Sequence, residues 1–406
     1  MQEPQVTGVA ELPRKECALK ITLVGAGHVG LSLGLFLAKR HSVYFLDSSE
    51  EKVAQINNRV SPIADQELIA EISNSSLEMI ATTDQKAALS SAEMVIVCVP
   101  TNQDPHTGLL DSSIVSSVVL ATAELAPNAL VVIKSTVPIG TTQTLQDQAS
   151  HLRLVFSPEF VREGSGLQDH LEPSRVVVGG LEANARVVAD LMLEGIDNLD
   201  TPVVLCTSEE AEAIKLFSNA FLASRVAFFN EVDSFCLLEG ISPKVVVQGV
   251  SLDPRIGVHY NNPSFGFGGY CLPKDTLEVA TQLKKMGLLL SSATIESNEK
   301  RLSLIAQEII SRGPKSVGIY RLNMKADSSN VRESSSLRLL EKLAAANLEI
   351  AIYEPLIKDD FFNGHKVHKS LEDFKHACAL IVANRITSEL EGMESKLFSR
   401  DLFGIS

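Results

Sequence analysis

A single cysteine in a glycine-rich stretch, FGFGGYCLPKDT at residues 265–276, has the residue types that nucleophilic catalysis requires. Turn-forming residues precede this stretch and the helical pattern TLEVATQLKKMG overlaps its end, so Cys271 should lie at the N-terminus of a helix. The helix dipole and the nearby Lys274 both favour a thiolate, which is the reactive form of the side chain. The glycines let the backbone approach a ligand closely, and Asp275 supplies a carboxylate. These residues predict a nucleophilic Cys271, with a buried structural cysteine as the alternative.

The start of the sequence has the pattern of a dinucleotide site. A β-rich run leads into Gly25-x-Gly27-x-x-Gly30, and a helical stretch and a second β-rich run then end at Asp47. In this pattern the glycines permit a sharp turn, and the helix N-terminus presents unpaired N–H groups to a pyrophosphate. A carboxylate about 20 residues further on accepts hydrogen bonds from ribose hydroxyls and repels a 2′-phosphate. The spacing therefore predicts NAD rather than NADP, and a tight turn without a ligand is the alternative for the glycines alone.

Four further β-rich runs end in small or polar residues, AEMVIVCVPT, ALVVIKST, LRLVFSPE and SRVVVGG. In a doubly wound sheet the carboxyl ends of the strands meet at one edge, where ligands bind. We therefore expect Pro100, Thr101, Ser135, Thr136 and Glu159 to lie along this edge.

A long helical pattern, TSEEAEAIKLFSNAFLASRVAFFNEVDSFCLLEG, begins near residue 207. Ser208 suits the N-cap position, acidic residues suit the first turn, and Gly240 suits the C-terminal end. Apolar side chains occupy more than one face, which predicts a helix between domains or subunits, and we expect a homodimer built on it. Lys215 and Asn219 are four residues apart and project from one face. On their own, these two residues are better explained as a solvated lysine beside a capping asparagine.

Strand-like runs alternate with helical patterns along the chain, which predicts an α/β fold with parallel sheets. The alternation resumes from about residue 301 with SVGIYRL, LEIAIYEP and HACALIVANR, but without the glycine fingerprint. We expect two Rossmann-like domains with doubly wound parallel sheets, joined by a long central helix. In the second of them, Arg332 suits either a phosphate or a surface position.

The composition argues against several classes of function. The 406 residues carry a net charge of −14, with a pI near 5.2, whereas nucleic-acid binding requires a clustered basic surface. The six cysteines are scattered, without a CxxC pair or histidines at zinc spacing, so we expect no metal and a reducing, cytoplasmic environment. Cys98 lies inside an apolar run and should be a core residue. No apolar run reaches 18 residues, so we expect no membrane contact, and residues 1–18 predict a frayed extension rather than a signal peptide.

The longer motifs resemble those of the UDP-glucose 6-dehydrogenase family, within the UDP-glucose/GDP-mannose dehydrogenases. The motifs that carry the resemblance span about residues 20–385 and are GAGHVG, VPTNQDPHTGLLD, STVPIGTT, SPEFVREG, EAIKLFSNAF, DPRIG, YNNPSFGFGGYCLPKDT and MKADSSNVRESS. The resemblance implies the NAD-dependent oxidation of UDP-glucose to UDP-glucuronate in two steps. A thiolate that adds to the intermediate aldehyde explains the need for a cysteine, because the second oxidation then yields a thioester that water hydrolyses.

The resemblance also implies a catalytic set, which consists of Cys271, Lys215, Asn219, Asp275, Thr136 and Glu159. Cys271 would be the nucleophile, and Lys215 with Asn219 would stabilise the developing oxyanion. Asp275 would orient Lys215 and a water molecule. Thr136 and Glu159 would complete the water and proton-transfer network.

Further binding residues are implied on the cofactor and substrate sides. The cofactor set is Gly25, Gly27, Val29, Gly30, Asp47, Lys52, Pro100, Thr101, Thr136, Glu163, Lys274 and Arg332. The substrate set is Glu159, Arg162, Lys215, Asn219, Arg255, Tyr260, Phe267, Gly268 and Lys325. Within it, Arg255 would reach the sugar nucleotide across from a second subunit.

The domains that we predict are an N-terminal extension at 1–18, an NAD-binding Rossmann domain at 19–206, a central helical dimerisation domain with the cysteine loop at 207–300, and a C-terminal UDP-sugar-binding Rossmann-like domain at 301–406.

Three other functions compete with this interpretation. A simple hydroxyacid dehydrogenase performs one oxidation and has no use for Cys271. A relative that acts on GDP-mannose or on a UDP-N-acetylhexosamine would keep the cysteine, so discrimination rests on the substrate loop. The stretch YNNPSFGFGGYCLPKD most resembles the UDP-glucose group, and the sugar itself stays open. A non-catalytic binding protein would be expected to have lost Cys271, Lys215 or Asp275, and all three are present.

Overall fold

The computed structural model describes residues 18–104, 107–161, 166–196, 198, 200–322 and 334–404. By its internal contacts the chain divides into two units, of which the first ends at Leu216 and the second begins at Phe217. Some predicted features lie outside the described residues, namely the extension up to residue 17 and the site residues Arg162, Glu163, Lys325 and Arg332.

The first unit contains an eight-stranded sheet. Its strands are β1 (Lys20–Val24), β2 (Ser42–Leu46), β3 (Met79–Thr82), β4 (Met94–Val97), β5 (Leu130–Ile133), β6 (Arg153–Phe156), β7 (Val176–Gly180) and β8 (Val203–Cys206). Its helices are α1 (His28–Leu37), α2 (Glu50–Asn57), α3 (Gln66–Ile72), α4 (Gln85–Leu89), α5 (Ser113–Leu125), α6 (Thr141–Gln148), α7 (Gly166–Leu171) and α8 (Glu182–Leu193). The strand order β3-β2-β1-β4-β5-β6-β7-β8 reverses direction between β1 and β4, where doubly wound sheets bind their ligands.

The central strands of this sheet are apolar because helices cover both of their faces. β4 and β5 read MVIV and LVVI, and every residue in them is buried. Alternate side chains point to opposite faces, so Ile96 and Val132 belong to one buried cluster while Val95 and Val131 belong to another. The two cores hold the carboxyl ends of β4, β5 and β6 side by side.

The helix α9 (Ser208–Glu239) runs from the first unit into the second. It ends, as predicted, before Gly240, whose φ of 70° is the left-handed conformation that glycine adopts easily. The predicted N-cap was wrong by one residue. Thr207 Oγ1 accepts a hydrogen bond from the Glu210 N–H at 3.2 Å, and the Glu210 carboxylate accepts one from the Thr207 N–H at 2.8 Å. This reciprocal pair is a capping box, which makes Thr207 the cap.

The second unit contains a six-stranded sheet and the remaining helices. The helices are α10 (Pro243–Ser251), α11 (Cys271–Lys285), α12 (Leu290–Ser311), α13 (Ser335–Ala345) and α14 (Leu371–Ala377). The strands are β9 (Ser316–Tyr320), β10 (Glu349–Tyr353), β11 (Phe361–Phe362), β12 (His365–Val367), β13 (Leu380–Ala383) and β14 (Leu397–Phe398), in the order β11-β12-β10-β9-β13-β14. None of the helices in the described ranges is long and apolar enough to cross a membrane.

The predicted α/β fold with two Rossmann-like sheets is confirmed, with one correction. The sheets are mostly rather than wholly parallel, because β6 pairs antiparallel with β7 and β11 pairs antiparallel with β12. Residues 157–175, between β6 and β7, contain only the short helix α7 among their described positions, and an antiparallel neighbour needs no long helical crossover. The division into an extension and three domains stays a prediction.

Candidate active site

The glycine fingerprint forms a tight turn between β1 and α1. Gly25 has a φ of 97°, and a Cβ there would lie 2.7 Å from the Cys98 carbonyl oxygen. A Cβ at Gly30 would lie 1.8 Å from the Gly25 carbonyl oxygen. At Gly27, by contrast, no atom lies within 4 Å of the Cβ position. Packing therefore requires two of the glycines, while the third leaves open space at the helix N-terminus that fits the close approach of a pyrophosphate.

Asp47 lies beside this turn, immediately after β2. Its Oδ2 accepts a hydrogen bond from the Ala26 N–H at 2.8 Å, and its Oδ1 accepts one from the Ser49 N–H at 2.9 Å. The Lys52 ammonium lies 3.6 Å from Oδ2. The carboxylate is thus fixed next to the fingerprint, and the turn and the acidic residue fit an NAD site. Val29 is half-buried in the first turn of α1.

The predicted edge residues follow neighbouring strands of the sheet. Ser135, after β5, donates a hydrogen bond from Oγ to the Val99 carbonyl at 2.7 Å, which links the segments that follow β4 and β5. Thr101 is buried, Thr136 is half-buried and Pro100 is exposed. The edge therefore presents both fixed and accessible groups.

Glu159 follows β6 and has two different carboxylate oxygens. Oε1 accepts hydrogen bonds from the N–H groups of Phe160 at 2.7 Å and Val161 at 2.9 Å. Oε2 is buried without a hydrogen-bond partner. Two basic side chains face it, with Lys134 Nζ at 3.6 Å and His170 Nε2 at 4.0 Å. The lone pairs of Oε2 therefore accept no hydrogen bond from the described residues.

The charges around Glu159 determine its ionisation. Burial raises the pKa of its carboxyl, but the basic groups around it, Lys134 first and then His170 and Lys215, more than offset this and hold that pKa below its ordinary value. Lys215 also donates a hydrogen bond to the Glu159 carbonyl oxygen. Burial lowers the pKa of His170. Burial raises the pKa of Cys98 to about 12, so this thiol is neutral, and it packs against the core as expected.

Sequence reasoning did not select Lys134 and His170. Lys134 stands at the end of an apolar run, directly before the selected Ser135 and Thr136, and a lysine in that position is the signal that was available. His170 offered no comparable signal, because a lone histidine in a polar stretch has no distinctive spacing.

Cys271 is the first residue of α11 and is exposed. Asp275, one turn further on, is fully buried, and its Oδ1 accepts a hydrogen bond from the Lys274 ammonium at 2.8 Å. Its Oδ2 accepts one from Asn219 Nδ2 on α9 at 2.5 Å. Burial lowers the pKa of Lys274, but Asp275, then Cys271 and Tyr270, outweigh it and raise that pKa above its usual range. The second unit therefore brings together Asn219, Lys274 and Asp275 near the nucleophile.

The segment that leads to Cys271, called here the cysteine loop (residues 261–270), is held by side chains from other elements. Asn298 Oδ1 on α12 accepts a hydrogen bond from the Phe267 N–H at 2.8 Å, and its Nδ2 donates one to the Phe267 carbonyl at 3.0 Å. Asn384 Oδ1, after β13, accepts one from the Phe265 N–H at 3.0 Å. A Cβ at Gly266 would lie 2.8 Å from Asn298 Oδ1, so glycine lets the amide approach this closely.

A buried ion cluster supports the same loop. Arg301 donates to Asp233 Oδ2 at 2.5 Å and, from Nε, to the Ser264 carbonyl at 3.1 Å. Arg400 also donates to Asp233 Oδ2, from Nε at 2.9 Å. The cluster connects α9, α12 and the segment after β14 with the cysteine loop. A buried charge without a partner is costly, so Arg301 and Asp233 do not give up these contacts easily. The contacts therefore hold the loop in place before any ligand binds.

The remaining predicted substrate residues lie in different environments. Arg255 donates to the Asp253 carboxylate at 2.6 and 3.0 Å, and its side chain is 87% exposed. Tyr260 is exposed and has a φ of 53°, and Gly268 is half-buried. The Phe267 side chain packs against Ala223 and Ala227.

Metal binding has no support from the described part of the chain, where no group of three His, Cys, Asp or Glu side chains could hold an ion. The five described cysteines form no disulfide with one another.

Three family profiles match the chain in sequence order. They are the NAD binding, central and UDP binding domains of the UDP-glucose/GDP-mannose dehydrogenase family, at residues 19–195, 209–300 and 318–402. The chain belongs to this family. Its first unit contains the NAD binding domain, and its second contains the UDP binding domain.

Individual relatives cover nearly the whole chain. A protein of Streptococcus pneumoniae named UDP-glucose 6-dehydrogenase is 41% identical over 392 residues, which are 95% of this chain and 100% of the relative. A protein of the same name from Campylobacter jejuni is 39% identical, over 95% of this chain and 99% of the relative. The solved structure of a UDP-glucose dehydrogenase from Pyrobaculum islandicum superimposes with a TM-score of 0.88 at 26% identity, covering 97% of this chain and 96% of that one.

Proposed function

We propose that the protein oxidises UDP-glucose to UDP-glucuronate in two steps, with NAD as the oxidant. The observation that carries this proposal is the 41% identity to a UDP-glucose 6-dehydrogenase over 95% of the chain. The exposed Cys271, on the same helix as the paired Lys274 and Asp275, supports it. Converting a primary alcohol to a carboxylate removes two hydrides and consumes one water, so each UDP-glucose yields two NADH.

The residues around the fingerprint would hold the cofactor. Gly27 leaves space for the pyrophosphate, and Asp47 would accept hydrogen bonds from the adenosine ribose. Bound NAD would accept a hydride in each of the two oxidations. The described part of the cofactor set that we propose is completed by Val29, Lys52, Pro100, Thr101, Thr136 and Lys274.

The thiol of Cys271 would carry the second oxidation. After the first oxidation its thiolate adds to the aldehyde carbon, so that a sulfur–carbon bond forms and the carbonyl oxygen becomes an alkoxide. We propose that Lys215 and Asn219 stabilise this oxygen as donors, and the lysine can do so without leaving its cationic state. Loss of the second hydride leaves a thioester, and attack by water then breaks the sulfur–carbon bond and releases the carboxylate.

Asp275 and Glu159 would have separate tasks. The bonds from Lys274 and Asn219 to Asp275 support a role for this buried carboxylate in orienting Asn219, and its predicted action on Lys215 and water stays a prediction. Glu159 Oε2, which has no hydrogen-bond partner, would accept a proton from the attacking water. Thr136 would help to place that water.

We further propose that the protein forms a homodimer through α9. Large apolar side chains are exposed along this helix, namely Phe217, Phe221, Phe228, Phe235 and Leu238. Phe221, Phe228, Ile256 and Leu290 line an apolar groove of about 540 Å³ in the second unit. Arg255 is next to Ile256 in sequence, which supports its proposed reach to the sugar nucleotide of a second subunit. The other described substrate residues, Tyr260, Phe267 and Gly268, lie close to it in sequence.

The choice of sugar and the cellular location are part of the same proposal. Cys271 would serve equally for GDP-mannose or a UDP-N-acetylhexosamine, so the preference for UDP-glucose rests on the relatives and on the resemblance of the stretch YNNPSFGFGGYCLPKD to the UDP-glucose group. Reduced cysteines among the described residues and a sugar-nucleotide substrate support a cytoplasmic location.

The test is to incubate the protein with NAD and each of these sugar nucleotides and to count NADH per molecule consumed. We expect two NADH per UDP-glucose and higher kcat/KM for it than for the others. A yield of one NADH per UDP-glucose would contradict the thioester route. A preference for GDP-mannose would contradict UDP-glucose as the substrate.

A further inference from the structure

Lys134 is a charged side chain inside the core of the first unit. It directly follows the wholly buried strand β5, and the residue is 5% exposed. Its ammonium lies 3.6 Å from Glu159 Oε2. Because burying an ammonium group without a counter-charge is costly, this placement requires an anionic partner.

We propose that Lys134 is a positioning residue that keeps the Glu159 carboxylate ionised, and that it thereby sets the lowest pH at which the enzyme hydrolyses its thioester. The inference rests on the proposed function, in which Glu159 accepts a proton from the attacking water.

The two oxygens of Glu159 explain why a cation is needed. Both backbone N–H groups that bind this carboxylate, from Phe160 and Val161, bind Oε1. Oε2 is buried and has no donor within hydrogen-bond distance, so nearby positive charge replaces hydrogen bonds in stabilising the anion. The same oxygen is the one with free lone pairs, and a proton from water would therefore arrive at the oxygen that faces Lys134.

The other groups that face Glu159 are less suited to this task. His170 Nε2 lies 4.0 Å from Oε2, but burial, helped by Lys134, lowers the pKa of its imidazole, which is therefore neutral near pH 7 despite the charges of Glu159 and Asp169. Lys215 donates to the backbone carbonyl of Glu159. The Cys98 thiol is neutral. Lys134 has the largest of the effects that lower the pKa of Glu159.

The direction of the pH effect follows from these contacts. With Lys134 present, the pKa of Glu159 is below its ordinary value, and the carboxylate exists throughout the neutral range. Without that charge, burial is no longer offset to the same degree and the pKa rises. A step that needs the carboxylate is then lost at a higher pH, so the acid limb of the rate profile moves upward.

The experiment compares the wild type with Lys134→Met, Lys134→Gln and Lys134→Arg. NADH release from UDP-glucose and the rate of thioester hydrolysis in a single turnover are measured from about pH 5 to about pH 9. Lys39→Met is the matched control, because Lys39 also pairs with a glutamate, Glu71, at 3.3 Å, but at the surface. It removes the same charge from the protein without touching Glu159.

We expect the acid limb of hydrolysis to move up by at least about one pH unit in Lys134→Met and Lys134→Gln, with a smaller change in the KM for UDP-glucose. Lys134→Arg and Lys39→Met should keep the wild-type profile. A neutral variant that is slower but has the wild-type acid limb would make Lys134 a purely structural residue and overturn the proposal.

Two outcomes separate this inference from the proposed function. If the neutral variants do not fold, the wild type still decides, because its hydrolysis rate must stay flat from about pH 6 to about pH 8, and a fall toward pH 6 would overturn the proposal. A wild type that releases no NADH from UDP-glucose refutes the proposed function and the inference together, whereas an active wild type with unchanged variant profiles refutes the inference alone.

Discussion

Alanine substitutions at Gly30 and Gly27 should separate the packing role of the fingerprint turn from its binding role. A Cβ at Gly30 would lie 1.8 Å from the Gly25 carbonyl oxygen, whereas real Cβ atoms essentially never come within 3.0 Å of another atom. The obstacle is backbone, so we place the cost at about 3 kcal/mol, the upper end for overpacking. Higher helix propensity offsets about 1 kcal/mol of this. The net loss of about 2 kcal/mol lowers Tm by about 4–8 °C for a unit of this size.

Gly27→Ala should behave in the opposite way. The Cβ position is open, and the φ of −84° and ψ of −169° are accessible to alanine, so loss of the glycine N-cap costs under about 1 kcal/mol. The methyl group would, however, stand where backbone N–H groups approach the pyrophosphate. We expect NAD affinity to fall at least about tenfold, which is about 1.4 kcal/mol.

Scanning calorimetry measures the Tm, and isothermal titration with NAD measures the affinity, on the same preparations of both variants. Each variant serves as the control for the other, since one should lose stability and the other affinity. A Gly30→Ala protein with the wild-type Tm, or a Gly27→Ala protein that binds NAD as the wild type does, would refute the assignment of roles within the turn.

Three further predictions concern the nucleophile, the cofactor and the assembly. Cys271→Ser should still bind NAD and UDP-glucose, but NADH formation should fall at least ~10³-fold, with a serine ester detectable by mass spectrometry; two NADH per UDP-glucose at a near wild-type rate would return Cys271 to a structural role. Because Asp47 is fixed beside the fingerprint, kcat/KM should be at least about tenfold higher with NAD than with NADP, and equal values would contradict this. The double variant Phe221→Glu/Phe228→Glu should sediment as a monomer while the wild type and the surface control Val187→Glu sediment as dimers; a monomeric wild type at micromolar concentration would exclude the dimer.

Local sequence signals were sufficient for much of the fold. The glycine spacing and Asp47 predicted a turn that the structure forms, and the apolar runs predicted the buried strands β4 and β5. The helix α9 ends where Gly240 indicated. The antiparallel pairing of β7 was not predictable in this way, because strand direction depends on how a connecting segment returns to the sheet. The cap at Thr207 was missed because neighbouring Thr and Ser residues suit the same position.

The candidate site was also predicted only in part, because some of its residues carry local sequence signals and others are defined by tertiary packing. Cys271 and Asp275 stand in one distinctive stretch, whereas Lys215 and Asn219 were selected through the resemblance to the family and not through their spacing alone. Lys134 was missed because its burial arises from the packing of the sheet, which the sequence does not display. The contacts of Asn298 with the cysteine loop were equally hidden, since the partners are 31 residues apart in the chain.

The buried ion cluster also fixes when the cysteine loop can form during synthesis. Arg400 and its partner Asp233 are 167 residues apart in the chain, so at about 5–20 residues per second a ribosome needs about 8–33 s to supply the second partner after the first. Asn384, which binds Phe265, likewise emerges long after the loop. The first unit, by contrast, is complete at Leu216 and can fold early. A nascent chain therefore acquires its cofactor-binding unit well before its cysteine loop is held in place, and its thiol stays outside any finished site until translation has nearly passed residue 400.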